Sequence, residues 1–344
     1  MKVLKYLLLP FSFIYLVVVG LRGILYSSGI IKSYKIPVKS ICIGNLSVGG
    51  TGKSPLTIYL AQHFSTTRSI AILSRGYGRS SSGFLEIQPD TLSNISGDEP
   101  SMYAKKHFPN THIFVCEKRA YGIQEIIQSY PKTDLVLLDD AYQHRAVTAG
   151  FNILLTDYNK PFFDDLPIPA GRLRESKNGK SRADMIVVSK SPKNQSPEQK
   201  GMIMEKINVR NTPIYFASID YSSPIPFGKS SDLRAVKRIL LITAIADASS
   251  LIQHLKQTFE VVHLSFPDHH TYTDKDLFKV HQKFDTFVSD ETAIFTTEKD
   301  WVKLTDLPMK ESMKAYPWFY QPMSVVIDRE EEFLEQLNNY VDTI

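Results

Sequence analysis

Cysteine is nearly absent from this 344-residue chain: there are two, Cys42 and Cys116. Each sits in a short apolar run, Ser40-Ile41-Cys42-Ile43 and Ile113-Phe114-Val115-Cys116, and reads as a buried reduced thiol. That excludes a disulfide scaffold and a zinc site built on cysteine. The 19 prolines and 17 glycines follow no period, which excludes collagen-like and low-complexity architectures. No repeat of solenoid or propeller length is found. A hydrophobic content of 43% with 22% charge excludes a disordered chain. Acidic residues are missing from the leading part. The first is Glu86, and before it stand Lys2, Lys5, Arg22, Lys32, Lys35, Lys39, Lys53, Arg68, Arg75 and Arg79. Residues 1–85 therefore carry +10, and the remaining 259 sum to −6 within a net charge of +4. Such a basic leading part suits an anionic partner: nucleic acid, a membrane surface or a phosphorylated substrate.

A long uncharged run favours the membrane. Tyr6 to Leu21 has sixteen residues without charge, with Lys2 and Lys5 before it and Arg22, Lys32 and Lys35 after. As a helix it is about 24 Å long, short of a bilayer core of about 30 Å. Pro10 would kink it unless it lies in the first turn. A secretory signal has a similar charge plan, but Val17-Val18-Val19-Gly20 is a poor small-residue cleavage site. A full span stays open if Lys5 snorkels, and so does a buried core helix. A helix docked at the headgroups, its basic flanks on anionic lipid, fits the shortness best. The basic excess comes with no stacking-aromatic motif, so a nucleic-acid partner is disfavoured. No protein partner is identified.

Beyond this helix the pattern is α/β, and the length predicts two domains. Short apolar runs predict strands at Val38–Ile43, Ser69–Leu73, Phe84–Ile87, Ile113–Cys116, Leu135–Leu138, Asn152–Thr156 and Met185–Ser189. Helical windows between them, such as Pro55–Phe64 and Pro100–His107, imply a mostly parallel sheet covered on both faces. Ile214–Ile219 alternates like a half-exposed strand. The Pro-, Ser- and Gly-rich stretch 222–231 looks like a linker. A second unit follows, with strands predicted at Ile239–Thr243, Val261–Leu264, Ala293–Thr296 and Ser324–Ile327, and a closing helix at Glu330–Tyr340. The expected division is 1–35 as a membrane-associating helix, 36–210 as a P-loop domain, 211–234 as a linker and 235–344 as a smaller α/β domain closing the cleft.

The strongest chemical signal is Gly44-Asn45-Leu46-Ser47-Val48-Gly49-Gly50-Thr51-Gly52-Lys53-Ser54-Pro55. A Gly-Lys-Ser between a strand and a helix is the context of a P-loop. Backbone N–H groups of Ser47, Val48, Gly49, Gly50, Thr51, Gly52, Lys53 and Ser54 would surround phosphate oxygens, aided by the positive end of the helix. Lys53 would reach the β- and γ-phosphates of ATP, and Ser54 would ligate Mg²⁺. One departure is that Ser47 stands where the first glycine is usual. Leu135-Val136-Leu137-Leu138-Asp139-Asp140 supplies carboxylates for the metal at the end of a buried strand. A strand-end aspartate that caps a turn is the plainer reading of that pair.

Taken together the motifs resemble the tetraacyldisaccharide 4'-kinases of lipid A biosynthesis. The residues that carry the resemblance are the 44–55 loop, Ser74-Arg75-Gly76-Tyr77-Gly78-Arg79, Gly97-Asp98-Glu99-Pro100 and Arg119. Asp139-Asp140-Ala141-Tyr142-Gln143-His144-Arg145 and Pro169-Ala170-Gly171-Arg172-Leu173-Arg174-Glu175 follow, then Pro267-Asp268-His269 and Thr297-Glu298-Lys299-Asp300. The resemblance implies ATP-dependent phosphorylation of an acylated glucosamine disaccharide 1-phosphate at its 4'-hydroxyl, giving lipid IVA, at the cytoplasmic face of the inner membrane. The chain would be peripheral or anchored there by a single helix. Asp98 resembles the family's acid/base aspartate and His269 its dyad partner; His270, next in sequence, is not separable from it, nor is the proton acceptor assigned between Asp98 and His269. Apart from the resemblance, Asp98 with Glu99 and Pro100 reads as a helix N-cap. Arg174 and Glu175 match a pair near the γ-phosphate, Arg174 neutralising charge and Glu175 assisting Mg²⁺ directly or through water. Arg119 is a further phosphate-side residue; Arg75 and Arg79 are weaker ones. Lys299 and Asp300 read as a structural salt-bridge site. Two other classes stay open: a membrane-associated P-loop switch or chaperone acting on a protein, and a ligase or kinase for soluble acceptors.

Overall fold

Apolar runs buried on both faces make the central strands. The structure is a computed structural model that describes residues 2–287 and 291–343; Met1, residues 288–290 and Ile344 lie outside the described residues. A nine-stranded sheet runs in the order Met323–Ile327, Ile214–Tyr221, Met185–Ser189, Phe151–Asp157, Lys39–Asn45, Leu135–Asp139, Ile70–Ser74, Thr111–Val115, Leu85–Ile87. Its interior pairs are parallel, and only the two edge strands run antiparallel to their neighbours. Leu135–Asp139 and Ile70–Ser74 are buried at every position, as a parallel sheet with helices on both faces requires. A five-stranded sheet, Ile225–Pro226, Trp318–Gln321, Thr292–Thr297, Arg238–Thr243, Glu260–Ser265, forms the smaller unit. The fold is α/β, with a P-loop at the carboxyl end of Lys39–Asn45.

Two expected boundaries move. Ile214–Tyr221, which overlaps the expected linker, is an eight-residue strand of the large sheet. Met323–Ile327 returns to that same sheet, pairing Ala217 with Ile327 through Tyr221 with Met323. The closing helix Glu330–Asp342 then packs on the large unit through Phe333, Leu337 and Val341, which share a core with Ile41, Phe64 and Tyr215. Its three buried apolar residues recur every four positions, so one face is buried. Their period reveals that face and not its partner. The smaller unit is therefore an insertion whose two crossings lie side by side: Ile225–Pro226 pairs antiparallel with Trp318–Gln321 just beyond the Tyr221–Met323 pair.

The first helix is longer than expected, Lys2–Ser27, with Pro10 inside it. Its stretch Leu7–Ser27 has 21 residues, is long and apolar enough to cross a membrane, and is only 6% buried over its most apolar window. That exposure removes the core-helix reading. Phe11, Phe13, Ile14, Val18, Leu21 and Ile24 all face outward.

Candidate active site

Parallel strands end their carbonyl ends on one side, and the site grows from the loops there. After Lys39–Asn45 the chain turns through 46–52 and enters the helix Lys53–Phe64. Gly52, at φ 82, is the N-cap and supplies no side-chain cap. The first-turn N–H groups of an α-helix have no intrahelical acceptor, so this end suits an anion. Val48, Gly49 and Gly50 are exposed, while Ser47 and Thr51 are buried. Thr51 is held from below: its hydroxyl accepts from Asn45 Nδ2 at 2.7 Å and its carbonyl from Ser189 Oγ at 2.8 Å.

A second strip braces the loop. Val48 N–H donates to Arg172 O at 2.8 Å, Arg174 N–H donates to Leu46 O at 2.7 Å, and Ser47 pairs with Leu173 between them. The Arg174 guanidinium donates to Asn45 Oδ1 at 2.7 Å, to Asp140 Oδ1 at 3.0 Å and to Ser47 O at 3.3 Å. Lys53 Nζ lies 3.7 Å from Asp140 Oδ1. Burial raises the Asp140 carboxyl, but Lys53 and Arg174 outweigh it and hold the group below its ordinary value. Lys53, Arg174 and Asp140 therefore meet beside the phosphate loop.

Asp139 differs from its neighbour. Burial, with Glu99 and Asp140 adding repulsion, pushes its carboxyl up to about 7. Its Oδ2 accepts from Tyr103 Oη at 2.9 Å, while its buried Oδ1 has no hydrogen-bond partner. The Tyr103 hydroxyl also bonds Ser54. An orphaned carboxylate oxygen one hydroxyl away from the P-loop serine fits a divalent cation, whose charge would stabilise the carboxylate. Magnesium at a nucleotide site takes one or two carboxylates and completes its shell with phosphate and water. Glu175 does not join them. Its Oε1 accepts from Arg182 at 2.8 Å and Gln143 Nε2 at 3.0 Å. Among the described residues no three His, Cys, Asp or Glu side chains converge to hold a metal. Of the four metal-side residues expected from the sequence, Ser54 and Asp139 are thus joined through Tyr103, while Asp140 faces Lys53 and Arg174 and Glu175 faces Arg182 and Gln143. Glu175 orders Gln143, which donates to Asn45 O.

Asp98 is the first residue of the helix Asp98–Lys105, whose N-cap is Gly97 and carries no side-chain cap. The capping reading of Asp98 is therefore not what the structure holds. Gly97 packs against Gly76 with no room for a Cβ: one added to Gly76 would lie 2.7 Å from Ser96 O, and one added to Gly97 3.0 Å from Gly76 Cα. Both have positive φ, 67 and 91, so both positions need glycine. This contact joins the two glycine turns and sets Tyr77 against the His269 ring at 5.4 Å between centroids.

His269 comes from the smaller unit. Its Nδ1 lies 3.1 Å from Asp98 Oδ2, and its backbone is left-handed at φ 58. A histidine held there marks a position that the surrounding structure enforces. His270 points elsewhere: its Nε2 lies 3.1 Å from Asp276 Oδ2, inside the Thr273–Asp276 capping box of the helix Asp274–Asp285. Two lysines from the helix Glu298–Leu304 complete the surround, Lys299 Nζ and Lys303 Nζ each 3.8 Å from Asp98 Oδ2. Burial raises the Asp98 carboxyl; the His269 hydrogen bond, Lys303 and Lys299 overturn that and hold it below its ordinary value. Lys303 is itself fixed by the fully buried Asp300 at 2.9 Å.

A family model described as tetraacyldisaccharide-1-P 4'-kinase matches residues 4–342. This chain belongs to the tetraacyldisaccharide 4'-kinase family. The tetraacyldisaccharide 4'-kinase of Flavobacterium psychrophilum is 38% identical over 350 residues, covering 100% of this chain and 98% of that one. Its counterpart in Phocaeicola vulgatus is 38% identical, covering 97% and 94%. The crystal structure of LpxK from Aquifex aeolicus in complex with ATP superimposes with a TM-score of 0.75 at 28% identity, over 98% of this chain and 99% of that one. Membership in this kinase family makes the chain an enzyme and sets aside the switch or chaperone reading.

The remaining family motifs divide in two. Arg119 is 2% exposed at the start of the helix Arg119–Ser129, with Asp139 and Asp140 as its nearest compensating charges. Its Nε has no partner. Arg79 is committed to the turn instead, donating to Glu117, Ser81 and Gly83. Arg75 is exposed. Sequence reasoning missed Tyr103, which carries no pattern, and Lys303, whose spacing of four from Lys299 was a usable signal.

Proposed function

We propose that the chain transfers the γ-phosphoryl group of ATP to the 4'-hydroxyl of a tetraacyldisaccharide 1-phosphate, giving lipid IVA. The observation that carries this reading is the Asp98–His269 contact, a carboxylate and an imidazole from two units, the carboxylate on the helix whose Tyr103 bonds the P-loop serine, Ser54. A switch has no use for such an acceptor base. Bound Mg²⁺, held by Ser54 and Asp139 with Tyr103 orienting the carboxylate, supplies charge neutralisation on the phosphates.

The residues themselves do the rest. The phosphate loop and Lys53 orient the triphosphate so that its terminal phosphorus faces Asp98. The sugar oxygen attacks that phosphorus in line as the bond to the β-bridging oxygen breaks, and Asp98 accepts the hydroxyl proton. A carboxylate held low in pKa is a weak base, which suits a loose transition state where the proton leaves late. His269 fixes the Asp98 orientation through Nδ1, and Lys53, Arg174 and Arg119 balance negative charge.

The membrane surface is the second part of the proposal. The first helix lies along the body, tied to it at Ser12, Tyr15 and Ser27, with its apolar face outward. A helix held side-on at mid-length suits docking in the headgroup plane better than a full span. That surface belongs to the cytoplasmic face of the inner membrane, where ATP is at hand. The test is incubation with labelled ATP and the acylated disaccharide 1-phosphate, with the product's phosphate positions mapped. A second phosphate at the 4' position is expected. ATP consumption without transfer, or transfer to another hydroxyl, overturns the reading.

A further inference from the structure

The first helix is apolar toward solvent and polar toward the body. Ser12 is 2% exposed; its Oγ donates to Pro167 O at 3.0 Å and accepts from Ala170 N–H at 3.0 Å. One turn later, Tyr15 Oη donates to Arg174 O at 2.8 Å. Positions three apart share a helix face, so both hydroxyls look the same way. The strip they grip, 167–174, is the one whose other edge bonds the phosphate loop at Leu46, Ser47 and Val48. It is clamped on both sides: by the helix on one and by the loop on the other. Arg174 stands where the clamps meet, its carbonyl on Tyr15 and its guanidinium on Asn45 and Asp140.

We infer that Ser12 and Tyr15 are positioning residues that couple the seating of the apolar helix to the placement of Arg174 on the phosphate loop. Hydroxyls are costly to bury in an apolar stretch without partners, and Ser12 and Tyr15 both find backbone partners on one short strip. Seating the helix at a lipid surface and setting the phosphate-side arginine then become one event. A kinase whose acceptor stays in the bilayer gains from this, because transfer is then geared to the surface where the acceptor resides. The inference rests on the proposed reaction.

The experiment uses the full chain with vesicles of anionic phospholipid carrying the acylated disaccharide 1-phosphate. Tyr15→Phe removes one hydroxyl and keeps the ring. We expect vesicle binding and KM for the lipid within about twofold of the parent chain and kcat lower by about tenfold, the signature of a misplaced transition-state group. Ser12→Ala should act in the same direction, and the double variant should lose less than the product of the two, because they hold one strip. Phe13→Ser, on the outward face at 69% exposure, should show the reverse split, a raised KM and an unchanged kcat. A Tyr15→Phe chain with a lower melting temperature and unaltered kcat, or with its loss confined to vesicle binding, overturns the inference alone. A parent chain that transfers nothing to the lipid overturns the proposed reaction and the inference with it.

Discussion

The two sides of the site are built by different means. The phosphate side is assembled within one sheet: the loop, the 172–174 strip and Asn45 are laced by backbone and buried side-chain bonds. The acceptor side is assembled between units: Val302 and Trp301 enter the larger unit's apolar core, and the contacts around the site are charged, His269, Lys299 and Lys303 on Asp98, Lys299 on Glu99, Lys105 on Asp306, Lys106 on Glu298. Backbone lacing gives a rigid cradle at any ionic strength. Ion pairs between units can form and part, and salt weakens them. The difference predicts that nucleotide binding belongs to the larger unit by itself, whereas transfer needs both.

Paired substitutions test that division most severely. Asp98→Asn should lower kcat by about 10²–10⁴ and leave ATP affinity close to the parent value, since it removes the proposed proton acceptor and leaves the phosphate loop intact. Arg174→Ala should lower kcat by about 10²–10³ and weaken ATP binding as well. Steady-state kinetics with a separate nucleotide-binding titration would check both. Equal losses of ATP affinity in the two variants would break the comparison.

A smaller effect concerns the packing of the closing helix on the larger unit. Phe333 is fully buried and meets the rings of Tyr215 and Tyr59. Phe333→Ala should destabilise the larger unit by about 3–5 kcal/mol. Denaturant unfolding in the presence of ATP would check it, because a nucleotide bound to the affected unit should restore part of the loss. If ATP gave the variant no protection, the closing helix would not belong to the nucleotide unit.

The subtlest expectation is a pH shift. Asp98 faces His269, Lys299, Lys303 and Tyr272 from the smaller unit, with Glu99 beside it. Its carboxyl is held below the ordinary value of 3.8, so the rate should fall only as pH drops through that lowered value. The stability that these contacts add is likewise present above the unfolded-state pKa and lost on acidification through the folded one. Lys303→Met removes a neighbouring positive charge, so the acidic limb of kcat/KM should move to higher pH. A limb that stayed put or moved down would show that Lys303 does not act on Asp98.

Much of this was legible beforehand, and the reason is physical. Strands such as Leu135–Asp139 are buried on both faces, so they show as unbroken apolar runs. The phosphate loop needs glycines and a Lys-Ser at one spacing, and shows them. Asp98 and His269 were readable only through the family resemblance, because a left-handed histidine and a glycine-glycine backbone contact leave no periodic trace. Ile214–Tyr221 and Glu330–Asp342 show how far local pattern reaches: it reports that a face is buried, and pairing across more than 100 residues decides against what. Ser12 and Tyr15 were hidden inside an apolar run, where two hydroxyls barely alter the mean hydropathy.

The side-by-side crossings carry a consequence for how this architecture arose and how it can be taken apart. Tyr221 and Met323 are ladder partners, so the cut ends left by excising everything between them already touch. A turn of a few residues would reseal the ladder at small entropic cost, leaving a free-standing phosphate cradle with its terminal helix in place and Asp98 stripped of the His269, Lys299 and Lys303 that surround it.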